Sequence, residues 1–219
     1  MRHVQVVLAR VLAYIETVDL NPGGAVFFPH LISALVEKME FQKFPTTFEE
    51  TDEDKGVNFV EGRWGSITID KLTIFRNALV LDTRVPTRDT ENILEECLTW
   101  ASKEHGIHYA PGMIKRRQYV SDVTFYSDVN LLSAHAAFVG LQKSLSQHES
   151  SLFGQMLDYQ FTRFDLDFDK QKTPLISAPF SIQRRGQIPF SENKYFSEAA
   201  LPTDTHIRLL EQFEADLQR

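Results

Sequence analysis

Cysteine occurs once in the 219 residues, tryptophan twice and methionine four times. With Cys97 alone no internal disulfide can form, so the fold rests on noncovalent burial, which suits a reducing compartment. No apolar run is long enough to span a bilayer: the richest, Val4 to Val18, is broken by Arg10 and ends among Glu16 and Asp19. No small-residue cleavage site accompanies it, so it reads as structure and not as a secretory signal. An N-x-S/T acceptor is missing as well. These absences point to a cytoplasmic protein without a membrane partner.

The signatures of catalysis are equally scarce. There is no H-E-x-x-H, no paired C-x-x-C, no G-x-G-x-x-G and no G-x-S-x-G. Gly56 to Gly62 faintly resembles a phosphate loop, but Arg63 stands where the lysine and its following Ser or Thr are required. His105 and His108 are three apart, yet Gly106 between them marks a helix end and no cysteine is near; His3, His30, His135, His148 and His206 are scattered. Positive charge is in deficit too, with a net charge of −7 and a pI near 5.5. That balance argues against a general nucleic-acid binder, which needs a basic face to displace counterions, and leaves room only for a local basic patch.

What the chain does have is a strongly patterned centre, Ser66 to His105. Ile67, Ile69, Leu72 and Ile74 form one strand, and Leu79 and Leu81 a second. Arg76-Asn77 between them is a two-residue turn in which Asn is expected to take the positive φ of a tight hairpin. Val85-Pro86 ends the second strand, Asp89 or Thr90 can cap a helix, and Gly106 can close it. Ile93, Leu94, Cys97, Leu98 and Ala101 then fall on one helical face.

Around this centre, Val4 to Val18 fits both a helical and a strand template, and its β-branched content favours a strand over residues 11–18. A helix is predicted from Pro29 to Glu40, and a short strand at Val57 and Phe59. A further strand spans Tyr119 to Tyr126, and a helix about 129–145 carries Leu131, Leu132, Phe138, Leu141 and Leu145. The polar stretch 147–151 is the best place for a linker. Strands follow at Phe161 to Asp169 and around Phe180 and Ile182, then an irregular aromatic stretch from Pro189 to Ser197 and a last helix from Thr203. The expected class is α+β, with a mostly antiparallel sheet and three to four packed helices, a single domain being favoured over a split near residues 147–151.

Three features invite a functional reading. Asp165, Asp167 and Asp169, at period two on a strand, would share one face and could seed a Mg²⁺ site, though Lys170 and Ile176 exclude an EF-hand. A solvated strand face is the plainer reading. Lys115, Arg116 and Arg117, together with Arg163, Arg184 and Arg185, could form one cationic patch if their strands adjoin, suited to a carboxylate-rich partner. The acidic run Glu49 to Asp54 of another copy is one such surface. Phe190, Tyr195 and Phe196, amid polar residues, are the aromatic part of a candidate interface. The leading expectation is therefore a non-enzymatic protein-interaction or assembly component without a cofactor, a homo-oligomer or a subunit of a larger complex. The alternative is a metal-dependent hydrolase or nuclease built on the three aspartates.

Overall fold

A computed structural model describes residues 1–132, 136–172 and 177–218, the side chains of residues 136 and 137 excepted. In chain order the strands are β1 (Arg2–Tyr14), β2 (Val57–Trp64), β3 (Ile67–Phe75), β4 (Ala78–Thr83), β5 (Arg116–Tyr126), β6 (Arg163–Leu166), β7 (Phe180–Arg184) and β8 (Lys194–Ala199). The helices are α1 (Thr17–Leu20), α2 (Phe28–Met39), α3 (Thr87–His105), α4 (Ala136–Phe153) and α5 (Thr203–Leu217). The class is α+β with antiparallel pairing, as the alternation of short apolar strands and amphipathic helices requires. Among the described residues no helix is long and apolar enough to cross a membrane.

The chain forms two compact units. The larger holds Val6–Ser121 with Ala200–Asp204, and the smaller holds Met1–Gln5, Asp122–Ala199 and Thr205–Arg219. Residues 147–151, expected as a linker, lie inside α4.

In the larger unit the strand order is β2-β3-β4-β1-β5. The hairpin sets the register: Leu72 pairs with Leu81 and Ile74 with Leu79. Carried outward, the rows become Phe59, Leu72, Leu81, Val11 and Val57, Ile74, Leu79, Ala13, every member buried. Such cross-strand rows are the unit of sheet stability. They also decide the ambiguous N-terminal segment, because Ala9, Val11, Ala13 and Ile15 at period two complete the rows and a helix would not. The strand therefore runs over Arg2–Tyr14, well before the expected start.

Two local expectations need correction. Neither Arg76 nor Asn77 adopts a positive φ. Their carbonyls instead accept the N–H groups of Thr17 (2.8 Å) and Ile15 (3.2 Å), so the turn is held by the segment leaving β1. α3 starts at Thr87 behind Pro86, not at a cap from Asp89 or Thr90. The Thr90 hydroxyl lies 2.7 Å from that of Thr83, while Thr87 and Thr203 exchange reciprocal N–H···Oγ1 bonds of 2.9 and 3.0 Å. Gly106, at φ 75°, closes the helix as its sequence position implies. Ile93, Leu94, Cys97, Leu98 and Ala101 share one buried cluster with the hairpin and with Ile32, Leu35 and Met39 of α2. Burying each large aliphatic contributes about 1.5–3 kcal/mol relative to exposure. Gly62 permits a further close approach, since a Cβ there would lie 2.4 Å from the Phe41 ring.

In the smaller unit the order is β5-β8-β7-β6. The stretch expected to be irregular contains β8, whose Tyr195 is opposite Arg184 and whose Ser197 is opposite Ile182. Val123, Phe125, Leu131, Ile182, Tyr195 and Leu210 form the buried apolar part. β6 is only four residues long and lies at the sheet edge. Of the predicted helix over 129–145, the described part runs from Ala136; Leu131 and Leu132 are buried in a turn, and residues 133–135, His135 among them, lie outside the described residues.

One ionic knot secures the smaller unit. Glu214 is buried, and its carboxylate meets the Met1 ammonium, accepts the Ser127 hydroxyl (2.5 Å) and accepts the Asp128 N–H (2.9 Å). Burial alone would raise its pKa, but the ammonium and the two hydrogen bonds outweigh it and hold the carboxyl below its usual value. A depressed folded-state pKa contributes stability above the unfolded value and loses it as pH falls through the folded value. Glu214→Gln should thus be less stable than wild type near neutrality, with the gap closing in the acid range below the ordinary glutamate pKa. Urea denaturation across pH measures this, and a gap that stays constant to low pH contradicts the assignment.

Candidate functional site

The aspartate row does not assemble. Period-two geometry ends with β6 at Leu166, so Asp167 and Asp169 leave the strand and cannot share a face with Asp165. Each carboxylate already has a neighbouring cation: Asp165 takes the Arg163 guanidinium at 2.7 Å, Asp167 the Lys170 ammonium at 3.0 Å, and Asp169 the Lys172 ammonium at 3.4 Å. The Asp167 carboxyl is held below its ordinary value chiefly by the Lys170 contact. Among the described residues no three His, Cys, Asp or Glu side chains come together as a metal-ligating group.

The basic residues are similarly committed, and they divide between the two units. In the larger one, Lys115 is exposed and 3.8 Å from Glu16, while Arg116 lies over the Tyr14 ring at 4.3 Å. Arg117 is clasped by Glu91 (2.7 Å) and Glu95, whose carboxylates also receive the Tyr119 and Tyr109 hydroxyls. Burial first, then the bond to Glu95, raises the Tyr109 pKa, so this cluster is a fixed network rather than a titrating site. In the smaller unit Arg184 is buried and donates to the Phe190 carbonyl and to Gln160 Oε1, both at 2.9 Å, with its guanidinium 4.7 Å from the Phe190 ring. Tyr195 is fully buried, its hydroxyl accepting the Leu131 N–H at 3.2 Å. Both residues hold the fold together and present nothing to a partner. Of the expected aromatic surface, Phe190 is exposed and Phe196 half-buried, with the exposed Arg185 6.0 Å from the Phe196 ring.

Neither the Ser197–His206 pair nor Cys97 is set up as a nucleophile. Ser197 Oγ lies 2.8 Å from His206 Nε2, but the serine hydroxyl donates to the Ser181 carbonyl at 2.6 Å. His206 must then be the donor towards Ser197, the reverse of what a general base does, and both residues are fully buried. The Cys97 thiol is buried and pushed up to about 12 by desolvation, which leaves essentially no thiolate at neutral pH.

The feature that stands out was not singled out from sequence: the orientation of α4. Its half-buried positions are Val139, Gln142, Ser146, Glu149 and Ser150. The serines of that face are occupied, because Ser146 Oγ accepts the Tyr159 N–H (3.0 Å) and Ser150 Oγ the Leu157 N–H (2.8 Å) as the chain folds back. Its leucines point to solvent instead: Leu141 is 61% exposed, Leu145 38% and Leu152 77%, with Phe153 at 64% beside them. Phe138, Leu141 and Leu145, expected in the core, are therefore surface residues. Leu141, Leu145, His148 and Leu152 recur at intervals of four, three and four, the spacing of a two-helix seam. The sequence held a usable signal, since only Lys143 and Glu149 are charged within α4. A solvated helix face normally carries more charge than that.

No protein-family model matches this chain, and no curated protein matches it in sequence. The site must be read from its own chemistry.

Because the three aspartates are already paired, millimolar Mg²⁺ should leave the melting temperature unchanged. Preferential binding to the folded state would raise it. A rise that Asp167→Ala removes would bring the metal-site reading back.

Proposed function

We propose that this chain is a non-enzymatic assembly component of the cytosol that pairs with a second copy of itself through α4. The observation that carries the reading is the outward leucine stripe at Leu141, Leu145 and Leu152. A helix gains most of its stability in water from a covered apolar face. α4 spends most of its half-buried face on the polar side chains Gln142, Ser146, Glu149 and Ser150, and Gly140 weakens it by about 0.5–1 kcal/mol relative to alanine. The uncovered stripe is where the missing burial has to come from.

A second copy fits this stripe in two respects. The four-three-four spacing lets the helix serve as its own complement, and a two-fold axis makes such a contact closed. In an antiparallel pair crossing near Ser146, Leu141 of one copy lies near the level of Leu152 of the other. Self-pairing thus places leucines together. The exposed Phe190 and Arg185, aromatic and arginine side chains of the kind that anchor interfaces, supply further contact area in the same unit. The buried single cysteine suits a reducing compartment.

Light scattering coupled to size exclusion tests the proposal. Wild type should run as a dimer, and Leu141→Glu with Leu145→Glu should run as a monomer with unchanged folded circular dichroism. A wild-type monomer at high concentration, or a dimer indifferent to both charges, refutes it.

A further inference from the structure

The helices and sheet of the larger unit leave a cavity of about 200 Å³, walled by Leu35, Leu72, Leu79, Leu94 and Leu98, with Cys97 in the wall. These residues are buried, whereas the polar lining groups Thr17, Asn21, Thr51 and Glu53 are half-buried, so the polar end is the mouth. An apolar cavity of about 150 Å³ holds benzene. This one accommodates a ring with a two-carbon arm, roughly eight heavy atoms on that scale.

The mouth has a definite polarity. The Thr17 hydroxyl gives its hydrogen to Glu53 Oε2 (2.9 Å) and the Arg76 carbonyl (3.0 Å), and the Thr51 hydroxyl gives its own to the Phe48 carbonyl (2.7 Å). The Asn21 side chain closes on the Val26 backbone, donating at 2.8 Å and accepting at 2.9 Å. Among the described residues nothing is bonded to Glu53 Oε1. The neighbouring acids are used otherwise: Glu50 accepts the Thr46 and Thr47 N–H groups, Asp52 pairs with Lys55, and Asp54 pairs with Arg76. Among the described residues Glu53 is the only charged group on the cavity lining. A half-buried carboxylate at the rim of an apolar space is placed to meet a cationic group on a molecule that fills that space. A few placed polar groups at the rim of an apolar pocket are the usual form of a small-molecule site.

We propose that this cavity binds a small primary amine with an apolar body, an arylalkylamine in chemical class. The ammonium sits on Glu53 and the ring lies among the leucines of α3 and the sheet. The site belongs to the larger unit alone and does not depend on assembly through α4.

Calorimetric titration with 2-phenylethylamine, 2-phenylethanol and 3-phenylpropanoate tests it. The amine should bind, the alcohol at least fivefold more weakly, and the carboxylate not at all. Glu53→Gln should lower amine affinity to that of the alcohol. On the unaltered chain, saturating amine should raise the melting temperature, and 3-phenylpropanoate should not. Failure of the amine to bind, equal affinity for the three probes, amine affinity untouched by Glu53→Gln, or an unshifted melting temperature each overturns the proposal.

Discussion

An amphipathic helix is stable in water when its apolar stripe is covered, and the two longest helices of this protein meet that constraint in opposite ways. α3 turns Ile93, Leu94, Cys97, Leu98 and Ala101 into a cluster shared with the β3–β4 hairpin and α2. The hairpin register then propagates outward, because Leu72, Leu81 and Val11 can form one buried row only if each strand keeps its phase. A one-residue slip would turn every such side chain to the other face. α4 has no equivalent cover. Its leucines point outward while its serines are tied to the returning chain. The stripe of α3 is thus covered within its own unit, and that of α4 is left over.

The readable part of the sequence was the part in which local and long-range preferences agree. The hairpin, α2, α3 and α5 carry periodicity matched to flanking Pro, Gly or Thr signals, and each appears within a few residues of its expected place. β1 was ambiguous in isolation because Val, Ile and Leu satisfy both periods; only the partner strands choose between them. The 189–197 stretch looked irregular since Pro189 and Asn193 punctuate it, yet Asn193 takes a left-handed φ of 47° that starts β8. For α4 the stripe itself was visible, but a stripe says nothing about whether the chain has anything to put against it.

The same distinction separates chemical side chains from a chemical site. Three aspartates at period two suggested a metal, but β6 stops at Leu166 and a lysine or arginine meets each carboxylate. Arg184 and Tyr195 looked like interface anchors, yet the guanidinium is consumed by backbone carbonyls and an aromatic ring, and the phenol by the turn at Leu131. Composition identifies which groups are present. Where their hydrogen bonds go decides whether any remain for a partner. By that criterion capacity is left on the apolar face of α4 and, in the larger unit, at the carboxylate of Glu53 at the cavity mouth.

Whether α4 is covered by its own copy can be tested directly in solution. In a Cys97→Ser background, Leu145→Cys places one thiol on the seam, close to the point where a two-fold axis brings the helix against itself. Treatment with a short bis-maleimide should link two chains efficiently in dilute solution. The same cysteine moved to Gln147, on another side of the helix, should not link. Linkage at neither position, or equally at both, would contradict a paired α4.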